Sequence, residues 1–249
     1  MVSPLGLTGH YGLSEAGFAR GVEAGVNLMF WEPTYSAQAR FVRSLPVRQR
    51  EDLVILTGSY DADPKVIRRD LERALRSLKL DRVGLFMVWW VRSEKRISEA
   101  VHDTLRLAVE QGLAQTYGLS THQRSLAVEA IASDWPVVMV RHSAAHRGAE
   151  SSIFPAAARK GTGLITFSSL CYGRLLTDGV SAADCYRYSL SFPGVAATLS
   201  APRTLPQLAD NLAVLDDLTL SDARRDHLHA VGRRLHHRQR AFARGIRWR

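Results

Sequence analysis

Short apolar runs alternate along the chain with longer stretches in which apolar residues recur every three or four positions. The short runs are Pro4–Thr8, Val26–Trp31, Leu53–Thr57, Arg82–Trp90, Gln115–Ser120, Val137–Arg141, Gly163–Phe167 and Val195–Ser200. Most are rich in Val, Leu or Ile and bounded by polar or glycine residues, which predicts strands. Their apolar character is continuous rather than alternating, as expected of parallel strands covered on both faces. The longer stretches predict helices. Ser14 caps SEAGFARGVEAG and Gly25 stops it. Asp63-Pro64 opens a second, in which Val66, Leu71, Leu75 and Leu78 fall on one face. Others are expected at Ile97–Gln111, Arg124–Ser133, Ile153–Lys160, Ser181–Ser191 and Thr204–Leu215. Eight strands, seven of them followed by a predicted helix, predict a (β/α)8 TIM barrel. A doubly wound open sheet has the same local pattern, but a Gly-rich dinucleotide fingerprint is missing, which favours the barrel.

Composition narrows the picture. One barrel of this type takes about 250 residues, so a single domain accounts for all of 1–249. No apolar run approaches the roughly 20 residues of a membrane span. The N-terminal MVSPLGLTGHYG lacks the basic start and apolar core of a secretory signal. Cys171 and Cys185 have no ligand-like spacing and make no disulfide framework. A cytoplasmic protein without a structural metal is expected. The net charge is +9, and it is uneven. Residues 224–249 hold nine arginines and one acid, Asp226. They are expected to form a basic C-terminal helix, solvated or partly packed on the barrel. Its Arg/His run at 233–240 lacks interleaved aromatics until Phe242 and Trp248, so nucleic acid is not the expected partner.

The segment VNLMFWEPTYS at 26–36 adds chemistry. With Gly25 before it, it resembles the second strand and loop of the aldo-keto reductases, G-(I/V)-N-x-(F/I)-D-T-A-x-x-Y-G. LGLTGHYGLS resembles that family's first strand, and EDLVILTG at 51–58 its third. LDRVGLFMVWW at 80–90 resembles the fourth, and GLAQTYGLSTH at 112–122 the fifth, G-K-x-R-x-x-G-(V/L)-S-N. VVMVRHSAAHRGAE at 137–150 resembles the sixth strand and its loop, and TLSAPRTLPQLADNLAVL at 198–215 the adenosine-binding end.

The resemblance implies NADPH-dependent carbonyl reduction. In the family a tyrosine gives the proton, a lysine lowers its pKa, an aspartate supports the lysine and a histidine orients the carbonyl. By position the tyrosine is Tyr35. The aspartate, lysine and histidine positions hold Phe30, Gly58 and Trp89. The Ser-Asn pair and Gln that hold the carboxamide become Ser120-Thr121 and Met139, and the ring that stacks on nicotinamide becomes Phe167, followed by Ser168. At the adenosine end Arg203, Gln207 and Asn211 keep one helix face, with an arginine suited to a 2′-phosphate. The expectation is a divergent member with a degenerate tetrad, Tyr35 its one surviving catalytic group, and weak NADP binding through Ser120, Phe167, Ser168, Arg203, Gln207 and Asn211. A non-redox enzyme using the barrel mouth, or a non-catalytic nucleotide or partner binder, stands beside it.

Other residues carry two readings each. Trp31, Trp89 and Trp90 offer either a stacking wall for a small ligand or plain packing, and strand alternation allows only one of Trp89 and Trp90 to face the lumen. Arg141 either binds a substrate anion in the pocket or pairs with an acid such as Glu150. His122, His142 and His146 lack metal spacing and read as satisfied or surface histidines. Glu32 stands three residues before Tyr35 as a weak replacement for the lost acid.

Overall fold

The computed structural model describes the backbone of residues 1–245 and side chains as far as 237. Eight strands form a closed parallel barrel in sequential order: β1 (Leu5–Thr8), β2 (Leu28–Phe30), β3 (Val54–Ser59), β4 (Val83–Val91), β5 (Ala114–Thr121), β6 (Val137–Arg141), β7 (Gly163–Phe167) and β8 (Val195–Ser200). Strand β8 closes onto β1 through Leu5 opposite Thr198. The helices are α1 (Glu15–Glu23), α2 (Ser36–Ser44), α3 (Val47–Glu51), α4 (Pro64–Leu78), α5 (Glu99–Glu110), α6 (Arg124–Ala132), α7 (Ile153–Lys160), α8 (Ala182–Leu190), α9 (Leu205–Leu212) and α10 (Asp222–Gly245). The barrel expected from the repeated units is the fold observed.

Local chemistry fixes the element ends. Ser14 accepts from Gly17 N at the start of α1, and Asp63 accepts from Lys65 N ahead of the α4 proline. Ser181 and Asp184 close a reciprocal capping box on α8. Helix α4 buries Ile67, Leu71, Ala74, Leu75 and Leu78 against the strands, so its apolar stripe faces the barrel. Helices α2 and α3 had no counterpart among the predicted helices. Tyr35 and Pro46 precede them without any side-chain cap, so both lack the usual start signal; α2 buries Ala39, Phe41 and Val42 on one face, whereas α3 buries nothing.

Two cores result. Residues on the outer strand faces pack beneath the helices, among them Leu7, Ile55, Val88, Val138 and Leu164. A separate cluster fills the lumen: Leu28, Leu56, Leu85, Met87, Trp89, Met139, Ile165 and Ala197. Alternation along β2 therefore sends Phe30 to the lumen cluster and Trp31 to the outer one.

Helix α10 lies partly against the barrel. Leu228 and Val231 join Ala144, Ala145 and Tyr188 in a further apolar cluster. A Cβ at Gly232 would sit 2.1 Å from Ala144 O, so only glycine permits this approach. Arg224 pairs with Asp184 at 2.5 Å, and Arg234 pairs with Asp178. The tail is helical as expected and most of its described arginines are exposed, but its first turns are anchored rather than free. The side chain of Phe242, and Trp248 altogether, lie outside the described residues.

Candidate functional site

Every strand delivers its C-terminal end to one mouth, as the barrel topology requires. A cavity of about 640 Å³ opens there. Its walls include Phe30, Glu32, Tyr35, Tyr60, Trp89, Trp90, Ser120, Met139, Phe167, Ser168 and Arg203.

Of the four positions that the resemblance pointed to, Phe30, Tyr35 and Trp89 line this mouth, and Gly58 lies beside Trp89. Phe30 and Trp89 stack with ring centroids 5.1 Å apart and planes at 26°. Phe30 lies 6.3 Å from the Tyr35 ring. Gly58 pairs with Met87 across β3 and β4. A Cβ at Gly58 would come within 2.1 Å of Met87 O and 3.0 Å of Trp89 Cε2. The space a lysine side chain needs to leave this strand is therefore taken by a neighbouring backbone and an indole. Trp89 is 3% exposed, and its Nε1 has no hydrogen-bond partner among the described residues.

Tyr35 ends its loop at the start of α2 and is half-buried. Burial first, then the nearby Glu32 carboxylate, pushes its phenol up to about 12. A neighbouring cation would act in the opposite sense. His10 Nδ1 lies 3.2 Å from the Tyr35 hydroxyl, so an imidazole unprotonated at Nδ1 accepts from the phenol. Tyr60 donates to Glu32 Oε1 at 2.9 Å, and burial together with that bond raises the Tyr60 phenol as well. The sequence places Tyr60 in a strand-end segment at the mouth but assigns it no role, and it does not point to His10. Both reach Tyr35 or Glu32 through loops after different strands, more than 20 positions away, with no motif linking them.

The tryptophan expectations need correction. Trp31 does not line the cavity; it is 2% exposed in the outer core, because alternation turns it away from Phe30. Trp89 and Trp90 both line it. Alternation fails between them because β4 bulges: Val88 opposes Leu119, but Val91 opposes Thr121. Trp90 takes a left-handed φ of 52° at the bulge, and its N–H donates to Ser120 Oγ at 2.8 Å. Its exposed ring carries the Arg92 guanidinium at 4.8 Å.

Arg141 is half-buried and does not line the cavity. Its charge instead helps to depress His122 and His146, after burial, the larger cause in each. Glu150 does not pair with it. That carboxylate receives Tyr188 Oη at 2.5 Å, His142 Nε2 at 3.1 Å and Arg147. Burial alone would raise Glu150, yet these donors outweigh it and hold it at about 2. His142 is fully buried and satisfied, with Ser189 on its other nitrogen.

The two halves of the groove differ. Ser120, Met139 and Phe167 line the end expected to face nicotinamide. Thr121 does not; its hydroxyl donates to Val91 O and accepts from Gln123 N. Met139 offers at best a weak acceptor where a carboxamide needs strong partners. Ser168, at φ 63°, turns the chain out of β7 into the cavity wall. At the far end Arg203, Gln207 and Asn211 all line the cavity. Arg203 has no carboxylate within ion-pair distance among the described residues and lies 5.9 Å from the Tyr11 ring. Gln207 accepts from Arg203 N, and Asn211 donates to Ser200 Oγ. The residues present fit a nucleotide phosphate at the Arg203 end and do not fit a carboxamide at the other. No group of three or more His, Cys, Asp or Glu suited to a metal occurs among the described residues. No described helix is long and apolar enough to cross a membrane.

A closed parallel barrel whose loops converge on one apolar mouth, with a tyrosine after the second strand, defines the class. The chain belongs to the aldo/keto reductase family, whose sequence model matches residues 9–185. It is similar to a solved structure assigned as an aldo-keto reductase of Pseudomonas aeruginosa, at 26% identity over 86% of this chain and 89% of that one, with a TM-score of 0.73. It shares its fold with the holo form of aldo-keto reductase AKR11C1 from Bacillus halodurans, at 18% identity over 92% of each chain and a TM-score of 0.79. No functionally curated protein sequence matches it.

Proposed function

We propose that this chain is a cytoplasmic aldo-keto reductase family member that binds a small molecule at the barrel mouth and no longer reduces carbonyls by the family's route. One observation carries the reading: Gly58 has no room for a side chain, because Met87 O and the Trp89 ring stand where its Cβ would go. The chain's four lysines are Lys65, Lys79, Lys95 and Lys160, and none lines the cavity. Tyr35 thus has no lysine or arginine to acidify it among the described residues, and Glu32 acts in the other direction.

A second reading, a non-redox enzyme, is favoured by the His10–Tyr35 contact. A histidine within hydrogen-bond reach of a phenol forms a pair able to move one proton without a nicotinamide.

Nucleotide binding separates these readings from a working reductase. NADP, held only at the Arg203 end, is expected to bind weakly and in preference to NAD. Arg203 supplies the charge-assisted bonds to the 2′-phosphate, each about 1.5–3 kcal/mol. Calorimetry is expected to show the NADP preference collapse in Arg203→Ala. Tight binding that the substitution leaves unchanged would mean that the nucleotide lies elsewhere. No binding of either nucleotide would leave the non-redox readings alone.

A further inference from the structure

Beside Tyr35 the cavity holds a carboxylate with no cation. Glu32 is half-buried and lines the mouth. The one hydrogen-bond partner of its carboxylate among the described residues is the Tyr60 hydroxyl, and no described Arg, Lys or His forms an ion pair with it. Aromatic rings line the same cavity. Trp89 stacks on Phe30, Tyr60 meets Trp89 edge-on at 5.1 Å, and Tyr35 flanks Phe30.

The rim shows what such rings attract. Trp90 already carries Arg92 at 4.8 Å, and Tyr11 carries Arg203 at 5.9 Å. The inner rings Phe30, Tyr35, Tyr60 and Trp89 carry no cation from the chain among the described residues. Aromatic rings and a carboxylate with no ion-pair partner among the described residues therefore line one cavity. A ligand anion or a neutral carbonyl would gain nothing from Glu32. An ammonium would gain both a charge partner and ring faces.

We propose that the mouth binds an organic cation, with its ammonium beside Glu32 and its alkyl groups against Phe30, Tyr60 and Trp89. This names the ligand class for the small-molecule reading above and rests on that reading. Loss of the lysine and gain of Glu32 act together. A lysine beside Tyr35 would repel such a ligand, and the same substitutions that disable proton donation make the site selective for positive charge.

The probes are choline and 3,3-dimethylbutan-1-ol, which has the same shape with carbon in place of nitrogen. Choline is expected to quench tryptophan fluorescence and to bind about 10-fold or more tightly than the neutral isostere, the range of a desolvated cation–π contact with a carboxylate nearby. Glu32→Gln is expected to remove most of this preference while leaving isostere binding unchanged. Tyr60→Leu, at an exposed ring that the fold does not need, is expected to weaken choline severalfold. Equal affinity for the two probes, no choline binding at millimolar concentration, or a preference that survives Glu32→Gln would each overturn the proposal. A wild type that prefers choline yet reduces aldehydes at ordinary enzymatic rates would keep the cation site and discard the lost-reductase reading. A wild type with neither property would do the reverse.

Discussion

With NADPH and common aldehydes the protein is expected to turn over below about 10⁻² s⁻¹, against the 1–10³ s⁻¹ of ordinary enzymes. Each positioned acid–base group typically contributes about 10²–10⁴-fold. On the proposed reading the lysine, aspartate and histidine positions hold Gly58, Phe30 and Trp89. Groups that act as a unit are not additive, so the loss does not multiply to the full product. Whatever residual rate remains should survive Tyr35→Phe, because a phenol pushed up to about 12 is a poor donor to a carbonyl oxygen. Turnover near 1 s⁻¹ that Tyr35→Phe abolishes would show that another group activates the tyrosine.

Gly58→Lys, which restores the missing family residue on paper, is expected to destabilise the fold and leave activity absent. A Cβ there meets the Met87 carbonyl at 2.1 Å, and backbone cannot swing aside as a side-chain tip can. Overpacking of this kind costs about 1–3 kcal/mol. The ammonium would then lie beside the buried Trp89 ring with no carboxylate at position 30 to support it, which adds a desolvation penalty of several kcal/mol. A chain of this size loses about 2–4 °C of Tm per kcal/mol. Thermal unfolding should therefore drop by roughly 8–30 °C in Gly58→Lys, and by the smaller steric part alone, about 2–12 °C, in Gly58→Ala. An unchanged Tm for both would mean that β3 and β4 are spaced more widely than the register indicates.

How far the sequence could be read varied with the distance over which each feature is encoded. Strands β6, β7 and β8 and helix α7 run between the residues expected from the apolar runs, because each is bounded by abrupt polar or glycine positions such as Gly163 and Ser200. Motif position singled out Phe30, Gly58 and Trp89, and the structure brings the three together. Alternation misled at one place. It holds at Phe30 and Trp31, which removes Trp31 from the mouth, but breaks at Trp89 and Trp90, where a bulge with left-handed Trp90 admits both. A bulge is a register property of two strands, so one strand's residues do not announce it. The contacts of His10 with Tyr35 and of Tyr60 with Glu32 depend on loops that meet only after the barrel closes. Glu150 illustrates the same limit: a partner proposed for Arg141 instead collects Tyr188 from α8 and His142 from its own loop.

The most direct test is the ionisation of Tyr35 itself, followed by ring-carbon NMR of labelled tyrosine and assigned by loss of its signal in Tyr35→Phe. The account predicts titration near 12, above the ordinary value of about 10, because burial and Glu32 both disfavour the phenolate. The sign carries a linked consequence. A group whose folded-state pKa is raised contributes stability in full below its unfolded pKa of about 10, and that contribution fades as pH rises towards 12. Glu32→Gln should bring the titration back towards 10. A Tyr35 phenol that titrates well below 10 would contradict the account, since it would mean that a cation acidifies the tyrosine as a working reductase requires.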